Sequence, residues 1–254
     1  MSQQQLSYSS VDIFLACHNA IAQKVLIQRV SRKDKEFHFQ NWFEERLKEA
    51  TIDYEQQGRN SYPDFTLVET AEGYEVKGLG FPGREADYDC NSQVPIGYHN
   101  GRVIYYVFGS YSSAATENEY PVIDLVICHG DFLNADREYV HKNKSFTGFG
   151  SYGDLKIRDR KMYIAPTPYG LVRGADRQIT LILPEYYGRD SRLEVVGQLT
   201  RVEADRLVIG YSFDLTTNQL TPRYQSNPSA GQIHSFIAYR AKGIGGPTVA
   251  LKNS

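Results

Sequence analysis

Cysteine, methionine and tryptophan are all scarce in this chain of 254 residues, which has three, two and one of them. Cys17, Cys90 and Cys128 are too few and too widely spaced for a disulfide framework or a four-ligand zinc site. The six histidines form no His-x-x-x-His pair, which removes the usual helical metal motif. No run approaches the roughly 18 apolar residues of a transmembrane helix. The first residues, MSQQQLSYSSVDIF, lack a basic segment followed by an apolar core, so a reducing cytoplasm is the expected location. Positive charge is not in excess either: 28 Lys and Arg against 30 Asp and Glu give a net charge of −2. A generic polyanion binder is normally strongly basic, so any nucleic-acid surface must be a local basic lining that acidic surface elsewhere cancels. The closely spaced glycines of GFGSYG (148–153) have neither a P-loop lysine after them nor a Rossmann strand before them.

Aromatic residues are abundant, with 19 tyrosines and 12 phenylalanines, and this composition favours β-structure. Apolar spacing predicts a helix from about Ser10 to Val30, with Ser9 or Ser10 as N-cap. A second helix in FHFQNWFEERLKEA aligns Phe39, Phe43, Leu47 and Ala50 on one face. Glu45 lies beside that face near Trp42 and Glu49, and Glu44 points away. The segments DFTLVET and YEVKGLG then read as a hairpin turning across Ala71-Glu72-Gly73. RVIYYVFGSY and YPVIDLVICHG have the near-continuous apolar character of central strands. Short strand-like runs continue through KMYIAP, RQITLILPEYY, RLEVVGQL, RLVIGYSF and HSFIAYRAK. The expected fold class is α/β (α+β), a mixed central β-sheet flanked by helices with additional β-structure in the C-terminal half. With no linker visible, residues 1–254 form one elaborated domain, with a core over 36–130 and a β-rich extension over 150–250.

Along a strand, Glu75 and Lys77 share one face and Val76 takes the other. A two-residue turn at Glu72-Gly73 would set Asp64 opposite Phe81 and on that same face, although a slip of one residue would reverse the result. Converging carboxylates repel unless a cation lies between them. Mg²⁺ accepts a few carboxylate oxygens together with waters and phosphate oxygens. A neighbouring lysine can hold or help deprotonate a water, so this is equipment for phosphodiester hydrolysis. The competing reading is a surface hairpin with Glu75 and Lys77 paired across solvent, worth under about 1 kcal/mol.

Asp64 in "YPDF", with Glu75 and Lys77 in "YEVKG", resembles the PD-(D/E)xK nuclease superfamily in its E-x-K form. The resemblance covers roughly residues 36–130 and implies a restriction-endonuclease-like core. It implies that Asp64 and Glu75 bind Mg²⁺ and that Lys77 positions or activates the attacking water. It also implies an assisting carboxylate on the preceding helix, Glu45 first and Glu49 second. "DYDCNSQVPIG" is similar to a D-x-N-S-x-x-P pattern of several type II restriction endonucleases. There Asn91, Ser92 and Gln93 could donate to phosphate oxygens or base edges, while an Asx or Ser turn before Pro95 remains the plain alternative.

Lys156, Arg158 and Arg160 in KIRDRK would face one side of a single strand and could grip phosphates. Arg173 and Arg177 in LVRGADR offer guanine readers. Solvated charge is the default explanation for both sets. Cys128 beside His129 reads as core. The expected function is therefore a Mg²⁺-dependent type II restriction endonuclease, a homodimer on double-stranded DNA, with a cognate DNA methyltransferase as a genetic partner. The alternatives are a related nuclease in repair or modified-DNA defence, or a non-cleaving DNA-binding protein of the same fold.

Overall fold

The computed structural model describes residues 9–29, 36–56, 62–81, 88–91, 95–112, 119–135, 156–158, 161–164 and 179–243. In chain order the elements begin with α1 (Ser9–Ala22), β1 (Ile27–Gln28), α2 (Glu36–Glu49), β2 (Tyr54–Glu55), β3 (Phe65–Leu67) and β4 (Glu72–Phe81). There follow β5 (Tyr88–Asn91), β6 (Tyr98–His99), β7 (Arg102–Ser112), β8 (Glu119–Tyr120) and β9 (Val122–His129), closed by a 3₁₀ turn at Gly130–Phe132. The C-terminal half supplies β10 (Lys156–Arg158), β11 (Lys161–Ile164), β12 (Ile179–Pro184), β13 (Leu193–Val202), β14 (Arg206–Asp214), β15 (Gln219–Ser226) and β16 (Ile233–Ala241).

Nine strands make one mixed sheet in the order β13-β16-β12-β9-β7-β4-β3-β2, with β6 beside β7. The β4/β7 and β9/β12 pairs are parallel, and the other neighbours are antiparallel. The protein is thus mixed α/β, with two α-helices among the described residues. No described helix is long and apolar enough to cross a membrane. Three of the C-terminal strands, β12, β13 and β16, extend the main sheet. Among the described residues β14 and β15 pair only with each other, and β10, β11 and β5 form a separate three-stranded sheet.

The two faces of the large sheet carry different cores. On one face Phe14 and Cys17 of α1, and Phe39, Phe43 and Leu47 of α2, pack over Tyr74, Val76, Tyr105, Val107, Leu125 and Ile127. The alternate residues of the same strands, Tyr106, Phe108, Val126 and Cys128, form a second core with Phe132 and Leu133. Helix α2 approaches closely because Gly78 and Gly109, paired across β4 and β7, leave a slot for Phe39. A Cβ on Gly78 would stand 2.6 Å from the Phe39 Cβ, and one on Gly109 would overlap the end of its ring.

Two helical expectations change. Helix α1 ends at Ala22, well short of Val30. Lys24 adopts φ 57° and the Val25 amide donates back to the Ala20 carbonyl, closing the last turn before Ile27 enters a strand. On α2, Glu44 and Glu45 exchange roles. Glu44 is half-buried and accepts from the Tyr54 hydroxyl at 2.5 Å, whereas Glu45 is exposed.

Glu72 fixes the start of α1 against the sheet. Its carboxylate is buried, accepting from the Ser9 amide at 3.1 Å and from the Tyr74 hydroxyl at 2.7 Å. Burial raises its pKa above the ordinary carboxylate value despite those bonds.

Gly109→Ala is expected to destabilise the fold by roughly 1–3 kcal/mol through forced displacement of Phe39, with Phe39→Leu restoring part of the loss, as measured by urea unfolding. The native state holds the Glu72 proton more tightly than the unfolded chain does, so Glu72 makes stability fall as pH rises from about 4.5 through its raised value. The Tm of Glu72→Gln relative to the parent should therefore climb as pH is raised from 4.5 to 7.

Candidate functional site

Strand β4 is an interior strand, and its alternation gives it two chemically opposite faces. Tyr74 and Val76 point into the helix-covered core. Glu75 and Lys77 point to the other face, each only 8% exposed, where unpaired charges would be costly. They are paired: Lys77 Nζ lies 2.6 Å from Glu75 Oε1. The second oxygen, Glu75 Oε2, is buried and has no hydrogen-bond partner among the described residues.

Asp64 enters from β3, but through a different register from the one expected. Phe65 pairs with Tyr74 and Thr66 with Gly73, so the hairpin turns over residues 68–71. One step beyond the last pair, Asp64 falls beside Glu75 instead of Phe81. The shift is an even number of residues, so Asp64 keeps the face of Glu75. Its Oδ2 accepts from the Val76 amide at 2.8 Å, a side chain taking over a backbone ladder position on β4.

Tyr62 and Tyr106 border the charged groups. Tyr106 is the β7 partner of Glu75, and its hydroxyl shares a 2.6 Å hydrogen bond with that of Tyr62. Burial pushes the Tyr62 hydroxyl pKa up; its hydrogen bond to Tyr106 opposes this, and the nearby negative charge of Glu75 and Asp64 adds to it. The ring of His99 meets Tyr62 edge-on at 5.0 Å, and burial lowers the pKa of His99, leaving it neutral at pH 7. These aromatic neighbours were not among the expected site residues. Tyr62 was within reach of the sequence, standing directly before Pro63 and Asp64. Tyr106 joins the site only through the parallel register of β4 and β7, which no local pattern encodes.

Glu45 is not brought to this site. Helix α2 covers the opposite face of the sheet, and Glu45 is bound by Lys48 Nζ at 2.7 Å on its solvent side. Glu49 is likewise exposed and accepts from Arg46 at 2.7 Å. Asn91 ends β5, where its backbone pairs with Met162 of β11. The KIRDRK cluster straddles a chain reversal instead of running along one strand, because β10 ends at Arg158 and pairs with β11 from Lys161. Lys156 and Arg158 therefore belong to β10, in the same small sheet as Asn91. Ser92, Gln93, Arg160, Arg173 and Arg177 lie outside the described residues. Cys128 is fully buried, and burial drives its thiol pKa up, away from nucleophilic use.

The donor set suits a hard cation. Among the described residues no three His, Cys, Asp or Glu side chains cluster. Two carboxylates completed by waters and phosphate oxygens suffice for Mg²⁺, and the unsatisfied Glu75 Oε2 has the character of a ligand atom. No family model, curated protein or solved structure matches the chain, so function has to be read from these residues.

Removing Lys77 alone would strand a buried carboxylate. Lys77→Met is expected to cost about 3–5 kcal/mol, and the double variant Glu75→Gln, Lys77→Met should recover most of that loss. A double-mutant cycle in urea measures the coupling; additive losses would mean that the pair does not interact.

Proposed function

We propose that the chain is a Mg²⁺-dependent endodeoxyribonuclease of the PD-(D/E)xK type, cutting double-stranded DNA at a specific sequence as type II restriction endonucleases do. The observation that carries this reading is a buried Glu75–Lys77 pair with the half-buried Asp64 beside it. Glu75 and Lys77 are in contact on the sheet face away from the helices, with Asp64 bound to the same strand and one Glu75 oxygen unsatisfied. The order helix, Pro-Asp, hairpin, Glu-x-Lys, strand along α2, β3, β4 and β7 supports it as well.

In this reading Asp64 and Glu75 would hold Mg²⁺, which when bound neutralises phosphate charge and acidifies a coordinated water. Lys77 orients the attacking water and offsets the charge that develops on the phosphate. The Val76 amide fixes the Asp64 carboxylate, so the chain presents it without reorganisation. Tyr62 and Tyr106, linked hydroxyl to hydroxyl, wall one side and limit water access. Each chain offers one such site, so cutting both strands calls for a two-fold symmetric homodimer. A methyltransferase of matching specificity would protect the host DNA.

One feature favours a second reading, a DNA-binding protein that does not cut. Lys77 already neutralises Glu75 at 2.6 Å, so the buried carboxylate has a cation without any metal.

The two readings separate in one assay. Unmodified phage DNA incubated with the protein and Mg²⁺ should give discrete bands, and none when EDTA replaces Mg²⁺. Asp64→Asn, which keeps an acceptor for the Val76 amide, should retain the fold and lose cleavage by more than about 100-fold; Lys77→Ala should lose cleavage as far when assayed below its lowered Tm, where it is still folded. Full cleavage by either variant would remove the site assignment. A folded parent that binds duplex DNA and never cuts would leave the second reading.

A further inference from the structure

Strands β14 and β15 form an antiparallel ribbon inserted between β13 and β16, which are themselves neighbours in the large sheet. The nine residues of β14 give the ribbon a reach of about 30 Å. Its root is rigidly built. Glu203 is buried and lies 2.7 Å from His234 Nε2 through one oxygen, while the other accepts from Asn227 Nδ2 at 3.1 Å. The Asn227 amide in turn donates to the Asp205 carbonyl at 3.0 Å. Just before the root, Arg201 donates to the Phe132 carbonyl at 2.5 Å, within the core on the Glu75 face of the sheet.

The shaft has a selective chemistry. Gln219, Thr221, Arg223 and Gln225 alternate along β15, so they share one face, and all four are exposed. On the opposite side the Arg206 guanidinium stacks over Tyr224 at 4.4 Å. The charged residues of the ribbon are Arg206, Arg223 and Asp214. Asp214 is committed to the turn, accepting from the Thr216 and Thr217 amides. The shaft is therefore cationic, with a row of hydrogen-bonding side chains.

We infer that the β14–β15 ribbon is a DNA-reading arm that lays Gln219, Thr221, Arg223 and Gln225 in the major groove. The inference rests on duplex DNA being the partner proposed above. A major groove about 12 Å wide admits a two-stranded ribbon. Arginine pairs with guanine and glutamine with adenine through two hydrogen bonds each, and threonine meets either base edges or the thymine methyl. Same-face residues on a strand recur about every 6.6 Å, close to two base steps at about 3.4 Å each. Arg223 and Gln225 should consequently read positions about two base pairs apart.

The test selects binding sites from random 30-base-pair duplexes, using the full chain in EDTA, and repeats the selection with Arg223→Ala and Gln225→Ala. Both residues are exposed, so Tm should not move. Each variant is expected to lose preference at one position, the two positions lying about two base pairs apart. Affinity for the parent site should fall about 10-fold or more, with a much smaller loss on unselected DNA. Variants that select the parent sequence with the parent affinity overturn the inference, and so does a parent that selects no sequence. Conversion to a monomer on sedimentation, with base preference unchanged, also overturns it and makes the ribbon a contact between copies of this chain. Arm-dependent selection by a parent that never cuts supports the arm and removes the nuclease reading. Unchanged cleavage sites in the arm variants do the reverse.

Discussion

An ammonium and a carboxylate on an interior strand lose several kcal/mol of hydration each, and only close mutual contact offsets that loss. Glu75 and Lys77 meet this constraint two residues apart on β4, at 2.6 Å. The arrangement works because the strand divides its labour. Tyr74 and Val76 join the helix-covered core, leaving the other face to charge. The glycine slot for Phe39 contributes from a distance, since it draws α2 tightly onto the apolar face and keeps the helix away from the charged one. Glu45 is remote from Glu75 for that reason.

Asp64 is attached by a different device. A carboxylate oxygen occupies the Val76 amide where a ladder carbonyl would ordinarily sit, so strand pairing and carboxylate placement are a single interaction. Tyr62, on the same side of the chain, is held by Tyr106 of the neighbouring strand. Three strands thus converge on a few polar atoms, in a setting where the effective dielectric is low and each remaining polar atom matters. The unsatisfied Glu75 Oε2 is conspicuous against that background.

The C-terminal half divides between building and reaching. Strands β12, β16 and β13 continue the main sheet beyond β9, burying Leu181, Ile182, Phe236 and Ile237 against both of its faces. Between β13 and β16 the chain leaves the sheet as the β14–β15 ribbon, over a root whose buried carboxylate is fully committed. Pro222 is tolerated in β15 because a two-stranded ribbon consists of edge strands, where a missing N–H can face solvent. QLTPRYQS, with its proline and few apolar residues, carries a weaker local strand signal than RLVIGYSF.

The sequence alone determined that Glu75 and Lys77 would share one face of β4, that Val76 would oppose them, and that RVIYYVF and VIDLVICH would lie at the sheet centre. The first two follow from alternation, a property of a single strand that needs no partner, and the third from near-continuous apolar runs that suit strands covered on both faces. It also placed Phe39, Phe43 and Leu47 on one helical face. The end of α1, the turn at residues 68–71, the exposure of Glu45, the reversal within KIRDRK and the meeting of Tyr106 with Glu75 were decided only by the tertiary structure. Register and helix docking are relations between segments distant in the chain, set by which pairing buries the most apolar surface at once, and a local pattern contains no term for that competition.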